Sequence, residues 1–268
     1  VAGKPVKIVY TRTEEFIAGR PRTPMFIDLR MGFKKDGTMV AKYAVVIADV
    51  GAYITVSPII IRNASTRHDS LYRLPNIHTV GKGIYTNNIP RGAFRGMGDP
   101  QPLFAMESLI DMAAEQLGID PIKLRLKNAV QKGDITQNGY ILNSCAFDDT
   151  LRLAAEKSDW IHKRQKKQDN RGFGVACQIH NAGSAANKAK SGYDGSSAII
   201  NIDHYGKVKV ISGEMEMGQG SLTVYAQIAA EVLGVAIEDI TVFPLCDSDI
   251  SPFSLGTAGT KGTVLGGN

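Results

Sequence analysis

Apolar positions recur with a period of two in the first part of the chain, then with a helical period, and the same change occurs again further on. Phe26–Lys34 and Thr38–Ile47 read as strands around Asp36-Gly37, a dipeptide suited to the positive φ angles of a hairpin turn. Val6–Tyr10 and Thr79–Thr86 are further strand candidates. After Asp99-Pro100, which offers a cap and a preset first-turn φ, Leu103, Met106, Ile110, Ala113 and Leu117 return at helical spacing. Gly118 ends that helix, and Asp120-Pro121 opens a second one that runs to Asn128.

The turn-rich stretch from Gln131 to Asn143 is the expected domain boundary, with one subdomain at residues 1–135 and the other at 148–268. Beyond it the pattern predicts a helix over Asp148–Ser158, a solvated basic loop around His162–Lys167, and a strand over Gly172–Ile179. Asn181–Gly195, rich in small residues, reads as a long loop that is weakly ordered, as does the tail from Ser251. Ser197–Ile202 and Lys207–Ser212 form a second hairpin about Tyr205-Gly206, followed by a helix over Ser221–Leu233 and a strand over Ile240–Leu245. The expected fold is α+β, with mixed sheets, packed helices and two subdomains.

Composition narrows the function classes. A chain of 268 residues with 43% hydrophobic and 21% charged residues buries a core and is not a disordered polymer. No apolar run nears the roughly 20 residues of a membrane span. The net charge of +5 is not gathered into a stripe with aromatics, so nucleic acid is not an expected partner. Cys145, Cys177 and Cys246 lie far apart and form no CxxC pair, which argues against a disulfide framework or a side-chain metal site and for a reducing cytoplasm. The start at Val1 and the end at Asn268 lead us to expect a piece of something longer.

Three glycine-bearing segments carry the candidate chemistry: Gly92–Gly98, Glu216–Ser221 and Gly256–Thr260. Glycine lets a backbone approach a ligand, and amides at a helix start attract anions, so the amides before Ser221 and its hydroxyl could face a phosphate. Taken singly, each segment is equally a turn or a cap. Gly256–Thr263 is not a P-loop, because Gly262 separates Lys261 from Thr263 and no helix pattern follows. Among the histidines, His180 at the start of the long loop is placed to reach a substrate, whereas His68, His78, His162 and His204 read as exposed. Glu214 with Glu216, and Asp247 with Asp249, read as solvated strand edges.

In this order, the segments resemble the molybdopterin-binding subunit of the molybdenum hydroxylase family, which includes xanthine dehydrogenases, aldehyde oxidases, carbon monoxide dehydrogenases and 4-hydroxybenzoyl-CoA reductases. The resemblance rests on Thr86-Asn87-Asn88 before Ala93-Phe94-Arg95-Gly96-Met97-Gly98, on Pro100-Gln101, Met106-Glu107 and Leu117–Pro121, and on Leu124–Asn128. Glu216–Gly220 and Ser251-Pro252 with Thr257-Ala258-Gly259 complete it. Leu103–Glu107, Gln227–Glu231 and Pro252–Thr257 are most similar to the 4-hydroxybenzoyl-CoA reductase type.

Carried over, the resemblance places Phe94, Arg95 and Gly96 beside molybdenum and its dithiolene. Met217, Gly218 and Gln219 would contact the pterin and its phosphate, and Ala258, Gly259 and Thr260 would offer amides near the metal. Met97, Arg62 and His180 become substrate candidates, Met97 standing where a Phe commonly stacks on aromatic substrates. The implied cofactor is molybdopterin, as the cytosine dinucleotide, with molybdenum held by no side chain. The implied partners are a small-molecule substrate and iron–sulfur and FAD subunits or domains. The family's general-base Glu belongs to a Gly-rich motif near the C terminus of the complete subunit, and that motif is not in this sequence. The resemblance therefore implies part of the cofactor cradle, without stoichiometric cofactor when isolated. A non-catalytic binding or assembly domain on the same fold is the competing class.

Overall fold

In a computed structural model, the chain is described at residues 3–4, 6–165, 170–180, 182–183, 195–243, 247, 249–254 and 256–268. It divides into two compact units, Val1–Ile179 and His180–Asn268. Both have the α+β character expected.

The first unit is built on β1 (Met25–Phe33), β2 (Met39–Gly51) and β3 (Asn76–Tyr85), in that order across the sheet. β1 and β2 pair antiparallel through the Asp36-Gly37 hairpin, whereas β3 joins β2 in parallel. A parallel neighbour needs a crossover. Here it is α2 (Ser57–Thr66), which packs on β2 and β3. The short apolar run at 57–66 did not suggest this helix, although Pro58 supplies a favourable first-turn residue. α1 (Arg12–Ala18) precedes the sheet, opened by a capping box between Thr11 and Glu14. Val6–Tyr10, expected as a strand, is exposed and forms no ladder among the described residues.

α3 (Pro100–Leu117) and α4 (Pro121–Asn128) begin and end where their caps predict. Gly118 closes α3 at φ 65°, and the Asp120 carboxylate accepts from the Ile122 and Lys123 amides. α3 packs on β1, burying Met106, Ile110 and Ala114. Each large aliphatic side chain so buried contributes roughly 1.5–3 kcal/mol.

By packing, the two compact units part at Ile179, beyond the turn-rich stretch at 131–143. α5 (Phe147–Lys157) and α6 (Trp160–Gln165) continue the first unit, since Leu151, Trp160 and Cys177 lie in the same core as Met106 and Leu124. The Trp160 indole donates to Asp120 across 3.0 Å. The expected basic loop is helical through Gln165, with Arg164 over the Trp160 ring; Lys166 and Lys167 lie outside the described residues. Gly172–Ile179 is not a strand: Val175, Cys177 and Ile179 turn into the core without a ladder partner.

The second unit repeats the plan of the first. β4 (Ala198–Ile202) and β5 (Val208–Ser212) form the expected hairpin, and β6 (Ile240–Phe243) joins β5 in parallel after α7 (Ser221–Leu233). Val208, Val210 and Ala229 form its core. A one-turn helix, α8 (Lys261–Val264), follows the third glycine segment, where no helix was expected. Most of the long loop at 181–195, and with it Cys246, lies outside the described residues. No helix among the described residues is long and apolar enough to cross a membrane.

Candidate functional site

A carboxylate braces the second and third glycine segments directly, and another fixes the loop that leads into the first. For Gly92–Gly98 that carboxylate is Asp49, near the end of β2. Its carboxylate accepts from the Gly51 amide (2.9 Å), the Thr86 hydroxyl (2.6 Å), the Asn88 amide group (2.7 Å) and Arg91 (3.2 Å). The Thr86 bond first, then Gly51, Asn88 and Arg91, hold its pKa down at about 2. These bonds fix the strand end to the loop that leads into the segment.

Further contacts set the segment itself. Arg22 donates to the Arg95 carbonyl across 2.9 Å while its guanidinium lies 5.1 Å from the Phe94 ring centroid. Asn63, on α2, donates to the Met97 carbonyl across 3.1 Å. Gly96, Met97 and Gly98 all have positive φ, 97°, 45° and 100°. At Gly98 a side chain is impossible on a second count, because a Cβ would meet the Ile60 carbonyl oxygen at 2.4 Å. Phe94 and Arg95 are exposed. Arg62 is exposed on α2, one residue before Asn63.

In the second unit the amides expected to face a phosphate are already occupied. Glu216 Oε1 accepts from Gly218 N (2.6 Å) and Gly220 N (3.1 Å), and Oε2 accepts from Leu222 N (3.1 Å) and the Ser221 hydroxyl (3.2 Å). The Leu222 amide, then those of Gly220 and Gly218, hold the Glu216 pKa at about 2. Gln219 closes the same loop from the other side: its Oε1 accepts from Met217 N, and its Nε2 donates to the Met215 carbonyl and the Ser221 hydroxyl. Met217, Gly218 and Gln219 face solvent, with Met217 69% exposed.

Glu214 holds the third segment. It is buried and accepts from the Ser254 hydroxyl at 2.7 Å and the Thr257 hydroxyl at 2.6 Å, while Thr257 accepts from Met215 N. Burial pushes its pKa up, but the Thr257 and Ser254 bonds and the nearby Lys261 charge outweigh this and leave it lowered. The second and third segments are therefore tied together through Thr257. Ala258, Gly259 and Thr260 are exposed, the last two at φ 53° and 65°.

Glu214 and Glu216 are thus not a solvated strand edge, contrary to the sequence reading. Their alternation hides opposite roles, one carboxylate filling the unit's interior and the other filling a ring of amides. Asp49, Arg22 and Asn63 were also missed; only the loop they hold was legible. His68 is buried rather than exposed, with Lys42 Nζ donating to it (2.9 Å) and to Asp69. His180 is exposed at the start of the second unit. No group of three His, Cys, Asp or Glu among the described residues could hold a metal ion.

The segments can serve a ligand that needs no side-chain metal bonds. Gly218, Gly220 and Gly256, at φ 97°, 85° and 98°, have open space where a Cβ would stand. Their outer backbone is open to approach, and each unit by itself exposes an apolar side chain suited to a flat ring, Phe94 in the first and Met217 in the second. These features fit a pterin cofactor held by backbone and apolar contacts.

Comparison with known proteins agrees. Residues 1–129 and 153–268 each match a molybdopterin cofactor-binding domain, a division that leaves residues 153–179 with the second domain although they pack in the first unit. The chain is 34% identical over 267 residues to the xanthine dehydrogenase molybdenum-binding subunit of Escherichia coli O157:H7, covering 97% of this chain and 35% of that one. It is 30% identical over 273 residues to the aldehyde oxidoreductase of Megalodesulfovibrio gigas, covering 99% and 29%. Among solved structures, quinoline 2-oxidoreductase from Pseudomonas putida 86 superposes with a TM-score of 0.84 at 27% identity, over 96% of this chain and 35% of that one. The chain spans about a third of the length of the curated relatives it matches. By its domains and relatives, this chain belongs to the molybdopterin cofactor-binding domains of the molybdenum hydroxylase family.

Proposed function

We propose that the chain forms part of the cofactor cradle of a molybdenum-dependent oxidoreductase that hydroxylates or reductively dehydroxylates an aromatic, heterocyclic or aldehyde substrate. The observation that carries this reading is that each segment exposes candidate contact residues while a carboxylate holds its backbone or the loop leading into it: Glu216 and Glu214 the second and third, Asp49 the approach to the first. Phe94, Arg95 and Gly96 lie beside the metal and its dithiolene. Met217, Gly218 and Gln219 take the pterin and its phosphate on the outward side of their loop, since the inward amides belong to Glu216. Ala258, Gly259 and Thr260 offer backbone N–H groups. When bound, the cofactor supplies the redox chemistry; the protein positions and insulates it.

Met97, Arg62 and His180 are the substrate-facing residues in this reading. Met97 keeps a flexible thioether where a flat aromatic would be rigid, which suits a ring but does not select a purine. The narrower form of the proposal is a cytosine dinucleotide cofactor and a 4-hydroxybenzoyl-CoA reductase-like reaction, supported by Leu103–Glu107 and Pro252–Thr257. Iron–sulfur and FAD subunits or domains complete the electron path. Metal and nucleotide analysis of the intact parent protein tests the proposal. Molybdenum with a releasable cytosine nucleotide is the expected result, and a parent purified under cofactor-replete conditions without molybdenum refutes it. Turnover of 4-hydroxybenzoyl-CoA, compared with xanthine and with aldehydes, tests the narrower form.

A further inference from the structure

We propose that Glu216 is a positioning residue: a built-in anion that fills the amide ring at the start of α7 and thereby casts the Met217–Gly220 loop in the shape it presents to the cofactor. This deepens the function proposed above and rests on it for the identity of the ligand.

The geometry is that of an anion site closed from within. Three backbone N–H groups and one hydroxyl, from Gly218, Gly220, Leu222 and Ser221, converge on one carboxylate at 2.6–3.2 Å. Such convergence of amides before a helix is where external phosphates are usually bound. Here the sequence supplies the charge two residues ahead of Gly218. The loop needs that charge. Gly218 and Gly220 sit at φ 97° and 85° with no neighbour where a Cβ would stand, so packing does not hold them. Gln219 adds a second brace, to Met217 N, the Met215 carbonyl and the Ser221 hydroxyl, but it is neutral and bonds none of the three ring amides. Without Glu216 the inward amides would turn to water, and the loop would lose the anion that orients them. A phosphate cannot take the same ring while the carboxylate is there, so a bound cofactor meets the outer surface of the loop.

The test uses Glu216→Ala in the intact parent protein, with formate as the probe because it is a carboxylate without a tether. In cofactor-free protein, hydrogen exchange at Gly218, Gly220 and Leu222 should be at least about 10-fold faster in Glu216→Ala than in the parent. Formate should restore protection in the variant and leave the parent unchanged, a response that a residue acting only through general stability would not produce. Molybdenum per subunit should fall in Glu216→Ala and recover when formate is present during cofactor loading. Exchange unchanged by the substitution, or lost but not restored by formate, overturns the role assigned to Glu216. Exchange that behaves as expected while molybdenum content stays at the parent level instead overturns the assignment of this loop to the cofactor.

Discussion

Arg125 donates from Nε to the Glu107 carboxylate across 2.9 Å, with neither side chain more than 4% exposed. The same carboxylate accepts from the Tyr72 hydroxyl at 2.7 Å and from the Cys177 amide at 2.9 Å, so one residue of α3 ties together α4, the turn after α2, and the segment that follows α6. Desolvating two charges is costly, and the value of such a pair appears mainly when one partner is removed. Glu107→Ala should therefore destabilise the first unit by about 3–5 kcal/mol, because it leaves Arg125 with Asp111 as its remaining carboxylate and takes the acceptor from the Tyr72 hydroxyl and the Cys177 amide. Urea unfolding followed by Trp160 fluorescence measures this directly.

His68 gives the first unit a dependence on acidity. Burial first, with Lys42 adding to it and Asp69 opposing it, lowers its pKa from 6.5 to about 4. Below its unfolded pKa the unfolded chain binds a proton that the folded one refuses. The contribution is thus complete above pH 6.5 and is lost as pH falls toward 4. Over that window the loss should approach about 3 kcal/mol, and His68→Gln should flatten it. Unfolding free energies measured along a pH series decide the matter; an equal slope in parent and variant would refute it.

Asp49→Asn replaces one acceptor oxygen by a donor facing Asn88 and Arg91. The loop ahead of Phe94 and Arg95 should loosen, and molybdenum content in the intact parent should fall by about 10-fold, as is common for residues one step behind a metal site. Elemental analysis alongside circular dichroism separates this from unfolding.

Gly98 and Gly218 share nearly the same φ, 100° and 97°, in different surroundings. Gly98→Ala should cost more than about 3 kcal/mol, since strain is joined by a collision with the Ile60 carbonyl. Gly218→Ala meets only open space and should cost about 1–2 kcal/mol. Thermal melting of the two variants provides the comparison.

Much of this architecture can be read from the chain, because its signals are local. Pro100 and Gly118 set the bounds of α3 through their own backbones, and the Asp120 carboxylate with Pro121 opens α4 through contacts within three residues. Asp36-Gly37 and Tyr205-Gly206 do the same for the two hairpins. What escaped depends on distant partners. Val175, Cys177 and Ile179 alternate as in a strand because one side is buried, and alternation alone does not reveal whether a ladder exists. Packing carries the first unit past the turn-rich stretch at 131–143, because Leu151 and Trp160 lie in its core, although the family domains part across that stretch. His68 sits in a polar stretch that reads as exposed, but it is buried beside Asp69 and Lys42, the latter 26 residues earlier. The glycine segments were legible as motifs, but their carboxylate braces were not, since a Glu on a strand end looks the same whether it meets water or a ring of amides.

β4 stands at the border of its sheet, with Ile199, Ile200 and Ile202 each about half exposed or more. An outer strand with Ile200 and Ile202 on one face and Ile199 beside Asn201 on the other, and no proline or charge within Ala198–Ile202, is a template onto which another extended chain can add. Produced by itself, the second unit should therefore self-associate through this strand, and a lysine placed at Ile200 would act as a gatekeeper, keeping separate copies apart in concentrated solution.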